Sequence, residues 1–460
     1  MNTLLVKPYN LSDHIQPSLG LGYLATAVRK NHNVQILDCI KDGIKPENFK
    51  DYIKDKHFDV IGFQCYTFDL INLKDMLKAS KEKGAVTLLG GPHPSVLPKE
   101  TMVHFGEYVD YCFQGEAEVG FKMLLDTLSG ETHVDKRDIP GLVWRDQEDV
   151  VLNPRMNVDD LDSLGKPAWD LIGPQNYPEA QHGAFFRNFP IAPIIITRGC
   201  PYSCTFCAGN LISGKKLRKR SVKNVLEEID WLYDSFGIRE FHVIDDNFTL
   251  DKDFAKDFLR ALKSKKLNIS WSVPNGVRME SLDDELLTLM KETGLYLISL
   301  GIESGSDKVL RMMKKGTTTS LVRKTVDKIR RMNIDIAGFF ILGFPGETPG
   351  DMEETIKFSL ELDIMRANFF TYLPFPGTES YELIKRTEGL DMVDWERFYF
   401  MSAPYSPKGM DAETLKKFHK KAFLKFYMRP GILWKNISQI KSPRHFKFLC
   451  RRFFHWILMK

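Results

Sequence analysis

Short aliphatic runs alternate with amphipathic stretches along the first 130 residues of the chain. The apolar runs predict buried parallel strands at Thr3 to Val6, Val34 to Leu37, Val60 to Phe63, Val86 to Leu89 and Val109 to Phe113. Between them, the helical spacing of Leu19 to Lys30 and Leu70 to Lys83 predicts crossover helices. This alternation predicts a doubly wound α/β sheet, in which ligands bind beyond the carboxyl ends of the strands.

The alternation resumes at residue 191 with longer helices. Strands are predicted near residues 191–197, 239–244, 269–273, 295–300, 335–342 and 367–373, separated by helices such as Ser221 to Phe236 and Thr319 to Met332. Such units predict a partial (β/α)6 barrel, whose functional residues lie at the carboxyl ends of its strands. Between the two halves, Gly141 to Asn153 predicts a hairpin, and the proline-rich stretch after it predicts a linker.

These patterns divide the chain into a Rossmann-like domain (1–135), a hairpin and linker (136–190), a barrel (191–400) and a helical C-terminal region (401–460). The last fifty residues hold thirteen Lys or Arg and two acids. One predicted helix carries an apolar face formed by Phe446, Leu449, Phe453 and Trp456, flanked by Lys447, Arg451 and Arg452. This face either lies in an anionic membrane interface or packs onto the barrel. No fold signature favours a nucleic-acid site.

Length, composition and cysteine content limit the classes of protein and the cellular compartments that fit this chain. A chain of 460 residues suggests two or three domains, and 43% hydrophobic with 27% charged residues is ordinary for a globular protein. Seven cysteines, three of them clustered, argue against a secreted disulfide scaffold. The beginning lacks a signal-peptide core, and no apolar run approaches the roughly 20 residues that span a bilayer. A cytoplasmic location is expected, with membrane association through the basic region as a further possibility.

A cysteine cluster follows one of the buried strands. The run Ile194 to Ile196 is followed by Gly199, and Cys200, Cys204 and Cys207 come next at spacings of four and three. Three thiolates would leave one iron of a cubane cluster open to an exchangeable ligand. A zinc knuckle is the alternative, but it needs a fourth ligand, and no other Cys or His lies close in sequence.

The arrangement Cys-x3-Cys-x-Phe-Cys, formed by Cys200, Cys204, Phe206 and Cys207, resembles the signature of the radical S-adenosylmethionine enzymes. The resemblance implies a 4Fe-4S cluster whose open iron is chelated by S-adenosylmethionine. An electron from the cluster would then release a 5'-deoxyadenosyl radical. Phe206 would lie against the adenine.

The strand-end loops of the first half resemble the cobalamin-binding domain that precedes the barrel in one class of these enzymes. The implied cobalamin contacts are Leu19, Gly20, Asp38, Gln64, Cys65, Gly90, Gly91, His93, Gly115 and Glu116. The chain departs from the Asp-x-His-x-x-Gly sequence that ligates cobalt, because Ile40 stands where the histidine would be. His93 could instead bond local backbone, and Cys39 and Cys65 could be small buried residues.

The same resemblance implies S-adenosylmethionine contacts at the barrel mouth, which are Asp245 and Asp246 for the amino group, Arg278 for the carboxylate, Glu303 with Ser304 for the ribose, and Gly343 for the adenine. Each has an alternative. Asn247 or Thr249 could cap the following helix, Arg278 could be solvated, and the glycine turns could be ordinary barrel turns.

The layout is similar to that of anaerobic Mg-protoporphyrin monomethyl ester cyclases and hopanoid methylases. It implies a cobalamin-dependent methyltransferase that acts on an unactivated carbon of a hydrophobic or lipid-like small molecule and takes its electron from an external donor. Oxidation, cyclisation or carbon-carbon coupling, a radical enzyme without cobalamin, and a non-catalytic metal module are the alternatives.

Overall fold

The computed structural model describes residues 1–10, 15–179, 185–389, 393, 398–399 and 402–458. The chain forms two compact units. The first comprises Met1–Pro178 with Gly209–Phe236, and the second comprises Glu179–Ala208 with Gly237–Lys460. The domain boundaries predicted from the sequence remain predictions.

The first unit is an α/β sandwich. Its main strands are β1 (Asn2–Lys7), β2 (Asn33–Asp38), β3 (Val60–Gln64), β4 (Val86–Gly90), β5 (Tyr111–Phe113), β6 (Leu142–Asp146) and β7 (Asp149–Leu152). The accompanying helices are α1 (Leu19–Val28), α2 (Cys39–Asp42), α3 (Pro46–Ile53), α4 (Leu70–Glu82), α5 (Pro92–Val96), α6 (Pro98–Phe105), α7 (Glu118–Leu128) and α8 (Trp169–Ile172).

The strands form one sheet in the order β2-β1-β3-β4-β5-β6-β7. Strands β1 to β5 are parallel, and both faces of the sheet are covered. Leu4 and Val6 belong to one apolar core, whereas Leu5 belongs to the core on the other face. The predicted hairpin is confirmed, and it extends the sheet because β6 pairs antiparallel with β5. The order places a ligand crevice between β1 and β3, where the direction of winding reverses.

The second unit contains the barrel. Along the chain follow β8 (Ile191–Ile194), β9 (Thr197–Arg198), α9 (Gly209–Ser213), β10 (Arg218–Lys219), α10 (Val222–Ser235), β11 (Glu240–Val243), α11 (Lys252–Ser264), β12 (Ser270–Val277), α12 (Asp284–Glu292), β13 (Leu295–Glu303), α13 (Asp307–Met312), α14 (Thr319–Arg331), β14 (Asp335–Leu342), α15 (Pro349–Glu361), β15 (Arg366–Thr371), α16 (Glu379–Thr387), α17 (Ala412–Tyr427), α18 (Pro430–Ser438) and α19 (Pro443–Leu458). Of these, α9, β10 and α10 belong to the first unit.

Strands β8, β11, β12, β13, β14 and β15 lie side by side in that order, and every pair is parallel. The predicted partial (β/α)6 barrel is therefore confirmed. Strand β12 runs four residues past its predicted end at Val273. Pro274 and Asn275 suggest a turn in the sequence, but the structure absorbs them in a register shift between Val273 and Val277.

The C-terminal region is helical, as predicted. Helix α17 packs onto the barrel, since Leu415, Ala422 and Phe426 are buried and the ring of His419 bonds the Phe369 carbonyl at 2.9 Å. The side chains of Arg452, Phe453 and Trp456 lie outside the described residues. Among the helices that the structure describes, none is long and apolar enough to cross a bilayer.

Candidate active site

The three clustered cysteines lie on one loop directly after β9. None of the three forms a disulfide, Cys200 and Cys204 are half-buried, and Cys207 is exposed. The loop is fixed from both sides, because Thr205 donates its N–H to the Met313 carbonyl at 3.0 Å and its own carbonyl accepts from the N–H and hydroxyl of Ser380 at 2.9 and 2.8 Å. The backbone between Cys204 and Cys207 is therefore held in place.

The spacing of these sulfurs bears on the kind of metal. Around one tetrahedral zinc ion, ligand sulfurs lie about 3.8 Å apart. Among the described residues, His32, Asp126 and Glu131 form a group of three possible metal ligands whose donor atoms all lie within 4.8 Å of one another. The three cysteine sulfurs do not form such a group. A larger group bound through three corners fits this donor set better than a single ion does.

Asp245 and Asp246, the predicted amino-group contacts, point in different directions. The Asp245 carboxylate is buried and accepts from the N–H of Ile196 at 2.8 Å and from the N–H and hydroxyl of Thr197 at 2.7 Å each. Burial raises the pKa of Asp245 to about 7, and the charge of Asp246 adds to the effect. Asp245 thus joins the end of β11 to the end of β8, whereas Asp246 is exposed.

The capping alternative for this segment is wrong. Helix α11 begins at Lys252, and its N-cap is Asp251, which accepts from the N–H of Phe254 at 3.0 Å. Asn247 and Thr249 lie earlier in the loop, and the Thr249 hydroxyl bonds that of Ser281. The sequence could not separate these candidates, because Asn, Thr and Asp all cap helices.

Arg278 lies against the cysteine loop. Its Nη1 is 3.7 Å from the Sγ of Cys204, and its guanidinium carbon is 3.7 Å from the ring centre of Tyr202. Its Nη2 donates to the Lys315 carbonyl. The solvated alternative is therefore wrong, since the side chain is only 12% exposed.

Glu303 ends β13 in the left-handed region, with φ at +65°, and its Oε1 lies 2.6 Å from the Nζ of Lys315. Burial acts to lower the pKa of Lys315, but Glu303 and Cys204 outweigh it, and the pKa lies above its ordinary value. A Cβ at Gly301 would stand 2.5 Å from Glu303 and 2.6 Å from Lys315, so glycine makes room for the pair. Sequence reasoning missed Lys315, because the only local signal is an ordinary basic run before Gly316.

Ser304 lies behind Glu303. Its hydroxyl is fully buried, bonds that of Thr355 at 3.0 Å, and accepts from the N–H of Ser306 at 3.1 Å. These bonds fix the turn after β13 against α15. The structure thus brings Glu303 towards the cysteine loop and directs Ser304 to the interior.

Phe206 and the turn after β14 share one apolar cluster. Phe206 packs in the same cluster as Ile341 and Phe344. The turn is held by Glu347, whose Oε2 accepts from the N–H groups of Gly343 at 2.6 Å and Phe344 at 3.0 Å. Burial raises the pKa of Glu347 to about 8. Of the predicted adenine contacts, Phe206 therefore shares a cluster with the residues near Gly343, while the Cβ position of Gly343 itself faces Leu415.

In the first unit, hydrogen bonds link the loops after β1 and β3 at the predicted crevice. The hydroxyl of Ser18, the N-cap of α1, donates to Gln64 at 2.9 Å, and the Gln64 amide lies 3.2 Å from the Tyr66 hydroxyl. Leu19 is buried beneath this edge. Gly20 is exposed, and a Cβ there would meet no atom within 4 Å. This edge has room for a ligand.

The loop after β4 packs directly on Cys65. The Cys65 N–H donates to the Gly90 carbonyl at 2.7 Å, and its own carbonyl accepts from the N–H of His93 at 3.1 Å. Gly91 has a φ of +108°, and a Cβ there would lie 3.1 Å from the Cys65 carbonyl oxygen. His93 Nδ1 is bonded to the Thr67 hydroxyl at 3.0 Å, and burial lowers the pKa of His93 to about 4. His93 is thus a neutral side chain that joins two predicted loops.

The side chain of Asp38 is bonded to other residues of the protein, and that of Cys39 is buried. The Asp38 carboxylate accepts from the N–H groups of Ile40 and Lys41 at 3.1 Å, from Lys7 at 3.0 Å and from the Tyr177 hydroxyl at 2.9 Å. Cys39 and Cys65 are fully buried, and burial raises the pKa of Cys39 to about 12. The reading of both cysteines as small buried residues fits these surroundings.

Glu116 forms a buried ion pair. Both of its carboxylate oxygens lie 2.7 Å from Arg218, and it also accepts from the N–H of Val158 at 3.0 Å. The neighbouring Gly115 donates its N–H to the Ser95 hydroxyl at 2.9 Å. Gly115 therefore bonds the loop after β5 to α5, and the Glu116 carboxylate is bonded within the protein to Arg218 and Val158.

Comparison with known proteins agrees with both halves of this description. Residues 194–359 match the radical SAM superfamily, and residues 12–125 match the B12 binding domain. An uncharacterised methyltransferase of Pyrococcus horikoshii is 31% identical over 439 residues, which cover 95% of this chain and 92% of that protein. The chain belongs to the cobalamin-dependent radical S-adenosylmethionine methyltransferase family.

A further relative and two solved structures are also similar to this chain. The cytidylyl-2-hydroxyethylphosphonate methyltransferase of Streptomyces wedmorensis is 29% identical and covers 78% of this chain and 76% of its own. The radical S-adenosylmethionine methyltransferase TsrM of Kitasatospora setae aligns with 91% of this chain and 83% of its own at a TM-score of 0.69 and 19% identity. The cobalamin-dependent radical enzyme OxsB covers 100% of this chain and 71% of its own at a TM-score of 0.75 and 17% identity.

The family assignment confirms the predicted cofactors, which are a 4Fe-4S cluster, S-adenosylmethionine and cobalamin. The residues described above fit them. The cysteine loop offers three thiols outside any disulfide, and an added Cβ at Gly20, in the first turn of α1 after β1, would meet open space. A small-molecule substrate and an external electron donor accompany this chemistry.

Proposed function

We propose that this chain methylates an unactivated carbon of a hydrophobic small molecule. The observation that carries the proposal is the loop of three closely spaced cysteines, none of them in a disulfide, beside which Arg278 and the Lys315–Glu303 pair lie at the ends of β12 and β13. The names of the relatives support methyl transfer. One is the cytidylyl-2-hydroxyethylphosphonate methyltransferase, and another is a bacteriochlorophyllide d C-12(1)-methyltransferase of Chlorobaculum tepidum, 25% identical to this chain.

In the proposed site, Cys200, Cys204 and Cys207 hold the cluster and leave one iron for S-adenosylmethionine. The bound cofactors supply a carbon-centred radical and a transferable methyl group. Glu303 offers acceptor oxygens to the ribose hydroxyls. Asp246, which is exposed, is the better candidate for the methionyl amino group than the internally bonded Asp245.

The adenine would rest between Phe206 and the turn that begins at Gly343, because both belong to or border the same apolar cluster. In the first unit, cobalamin would be held by the loops after β1, β3 and β4, with Gly20 and Gly90 leaving space for it. Ile40 stands where a cobalt-binding histidine would be, so this position would supply no ligand to cobalamin.

Anaerobic turnover tests this function. The reconstituted full chain is incubated with dithionite, cobalamin, candidate hydrophobic extracts and S-adenosylmethionine that carries a deuterated methyl group. We expect 5'-deoxyadenosine, S-adenosylhomocysteine and a product that carries the labelled methyl. The Cys204→Ala variant should give none of the three.

Product mass also separates the alternative chemistry. Anaerobic magnesium-protoporphyrin IX monomethyl ester cyclases are 23% identical to this chain. A product that forms with 5'-deoxyadenosine but without the methyl label would show that the reaction is oxidation, ring closure or coupling and not methylation. Full turnover without bound corrin would show that the enzyme does not need cobalamin.

We further propose that α18 makes a peripheral contact with an anionic membrane and so gives access to a lipid-like substrate. Leu433, Trp434 and Ile437 are 43%, 71% and 49% exposed and share one side of the helix. They stand in the segment that holds thirteen basic and two acidic residues. Apolar side chains among basic ones suit an interface rich in anionic headgroups.

Vesicle flotation tests this contact. The full chain should float with vesicles of phosphatidylserine and phosphatidylcholine, and much less with phosphatidylcholine alone or at high salt. The double variant Leu433→Ser/Trp434→Ser should lose the flotation. Ile71→Ser/Val103→Ser, which changes two exposed apolar residues of the first unit, is the matched control. Equal flotation of all three proteins would exclude this surface.

A further inference from the structure

We propose that Arg278 sets the reduction potential of the cluster through a charge-assisted hydrogen bond to the Cys204 thiolate. The inference rests on the cluster site of the proposed function and assigns one residue beside it a defined task. In this role Arg278 places a positive charge next to a ligand of the cluster. This role differs from that of a residue that binds the methionyl carboxylate, because Arg278 acts on Cys204 and not on the cosubstrate.

The guanidinium is fixed on every side. Nη1 lies 3.7 Å from the Sγ of Cys204, and Nε lies 3.3 Å from Glu280. Nη2 donates to the Lys315 carbonyl. Its flat face lies 3.7 Å from the ring centre of Tyr202, which stands on the cysteine loop itself. These contacts hold the guanidinium with Nη1 directed at the sulfur.

The fold reserves space for this arrangement. A Cβ at Gly316 would lie 3.0 Å from Nη2 of Arg278, and Gly316 has a φ of +71°, a region that glycine adopts without strain. The carbonyl that Nη2 bonds belongs to the residue just before, Lys315. The turn after α13 therefore holds the guanidinium against the cysteine loop.

The charge of Arg278 determines the direction in which the reduction potential shifts. Reduction adds one negative charge to the cluster, and part of it spreads onto the ligand sulfurs. A cation and an N–H donor at one of those sulfurs stabilise the reduced form more than the oxidised form. Because the Arg278 side chain is only 12% exposed, water and salt screen this charge weakly. Arg278 therefore raises the reduction potential.

Lys315 is a second cation that interacts with Cys204, but its charge is matched by Glu303 at 2.6 Å, and both side chains are largely buried. The carboxylate paired with Arg278 belongs to Glu280 and is 34% exposed, so water weakens that pair. The uncompensated positive charge at the sulfur thus comes mainly from Arg278.

A potentiometric titration of the reconstituted full chain tests the inference. Dithionite supplies the electron in the one-electron reduction, and electron paramagnetic resonance reports the reduced cluster. We expect Arg278→Gln to make reduction on the order of tenfold less favourable, a shift of about 59 mV to more negative potential for a one-electron couple. Arg278→Lys, which keeps the charge and loses the fork, should shift it less. Arg323→Gln, on the exposed side of α14, should leave it unchanged.

The outcomes separate this inference from the function on which it rests. Wild-type protein without a cluster would overturn the proposed function. A full cluster in Arg278→Gln with an unchanged potential would overturn the role of Arg278. Weaker S-adenosylmethionine binding at an unchanged potential would assign Arg278 to the methionyl carboxylate instead. If Arg278→Gln does not load iron, Tyr202→Leu decides the question, because it removes the ring on which the guanidinium stacks, loosens the contact with Cys204 and should shift the potential in the same negative direction by a smaller amount.

Discussion

Lys315 and Glu303 form a largely buried ion pair, with 2.6 Å between Nζ and Oε1 and side-chain exposures of 14% and 8%. The Nζ of Lys315 also lies 5.8 Å from the ring centre of Phe206. The carboxylate proposed for the ribose therefore meets a lysine beside the residue proposed for the adenine. Each member therefore neutralises the buried charge of the other, and Lys315 orients the acceptor.

A double-variant cycle separates these two contributions. Removing one member of a buried pair leaves an uncompensated charge and costs about 3–5 kcal/mol. We expect Glu303→Gln and Lys315→Met each to lower the free energy of unfolding by about 3 kcal/mol in urea, followed by circular dichroism. The double variant should recover most of this loss. Both proteins that carry Glu303→Gln should bind S-adenosylmethionine at least about tenfold more weakly, a difference of about 1.4 kcal/mol.

The two adjacent aspartates should give opposite phenotypes. Asp245→Ala removes the acceptor for three bonds at the end of β8, and each bond to a charged group contributes about 1.5–3 kcal/mol. The cysteine loop follows that strand end, so this variant should bind less iron per chain. Asp246→Ala changes an exposed side chain and should load iron fully while its affinity for S-adenosylmethionine falls about tenfold.

Iron analysis and equilibrium dialysis of the two variants measure this difference. Asp246→Ala with wild-type affinity would remove Asp246 from the proposed binding residues. Full iron content in Asp245→Ala would show that the bonds to Ile196 and Thr197 do not support the loop.

The sequence predicted the strands and the residues that end them, because buried runs followed by Gly, Cys or Glu are local signals. It could not distinguish Asp245 from Asp246, since adjacent carboxylates look alike until the backbone turns one of them inward. Lys314 and Lys315 show the same limit. Lys314 pairs with Glu379 at the surface, whereas Lys315 is buried beside Glu303, and only the packing separates them.

Contacts between residues that lie far apart in the sequence could not be predicted from local patterns either. Glu116 was predicted as a cobalamin contact from its place after β5, yet Arg218 neutralises it from 102 residues away. The contact between Arg278 and Cys204 spans 74 residues. Both depend on how loops from separate strands converge, and no periodicity of apolar residues reports that.

Two glycines of the first unit should respond differently to added side chains. Gly20→Leu places a side chain in open space at the crevice between β1 and β3, so it should abolish cobalamin uptake without lowering the unfolding midpoint. Gly91→Ala should destabilise the fold, because its φ is +108° and the new Cβ would lie 3.1 Å from the Cys65 carbonyl oxygen. Gly431→Leu in α18, equally unobstructed, is the control.

Corrin absorbance after reconstitution and desalting measures the first effect, and thermal unfolding measures the second. Wild-type corrin content in Gly20→Leu would move the cobalamin site away from this edge of the sheet.

The buried carboxyl of Glu347 should make stability depend on pH. Its pKa is raised from the ordinary value of 4.5 to about 8 by burial, so the folded chain holds a proton that the unfolded chain has already released. The stabilising effect of this proton is complete below about pH 4.5 and is lost as the pH rises through about 8. Between those limits the loss amounts to up to about 1.4 kcal/mol per pH unit.

Glu347→Gln, a neutral side chain of the same shape, should not show this loss. We expect the variant and the wild type to be equally stable near pH 4.5, the variant to gain an increasing advantage up to about pH 8, and the difference to stay constant above that. Affinity for S-adenosylmethionine should fall with stability in the wild type only, because Glu347 holds the turn at Gly343 and Phe344. Parallel stability curves from pH 5 to 9 would show that Glu347 keeps its ordinary pKa in the folded chain.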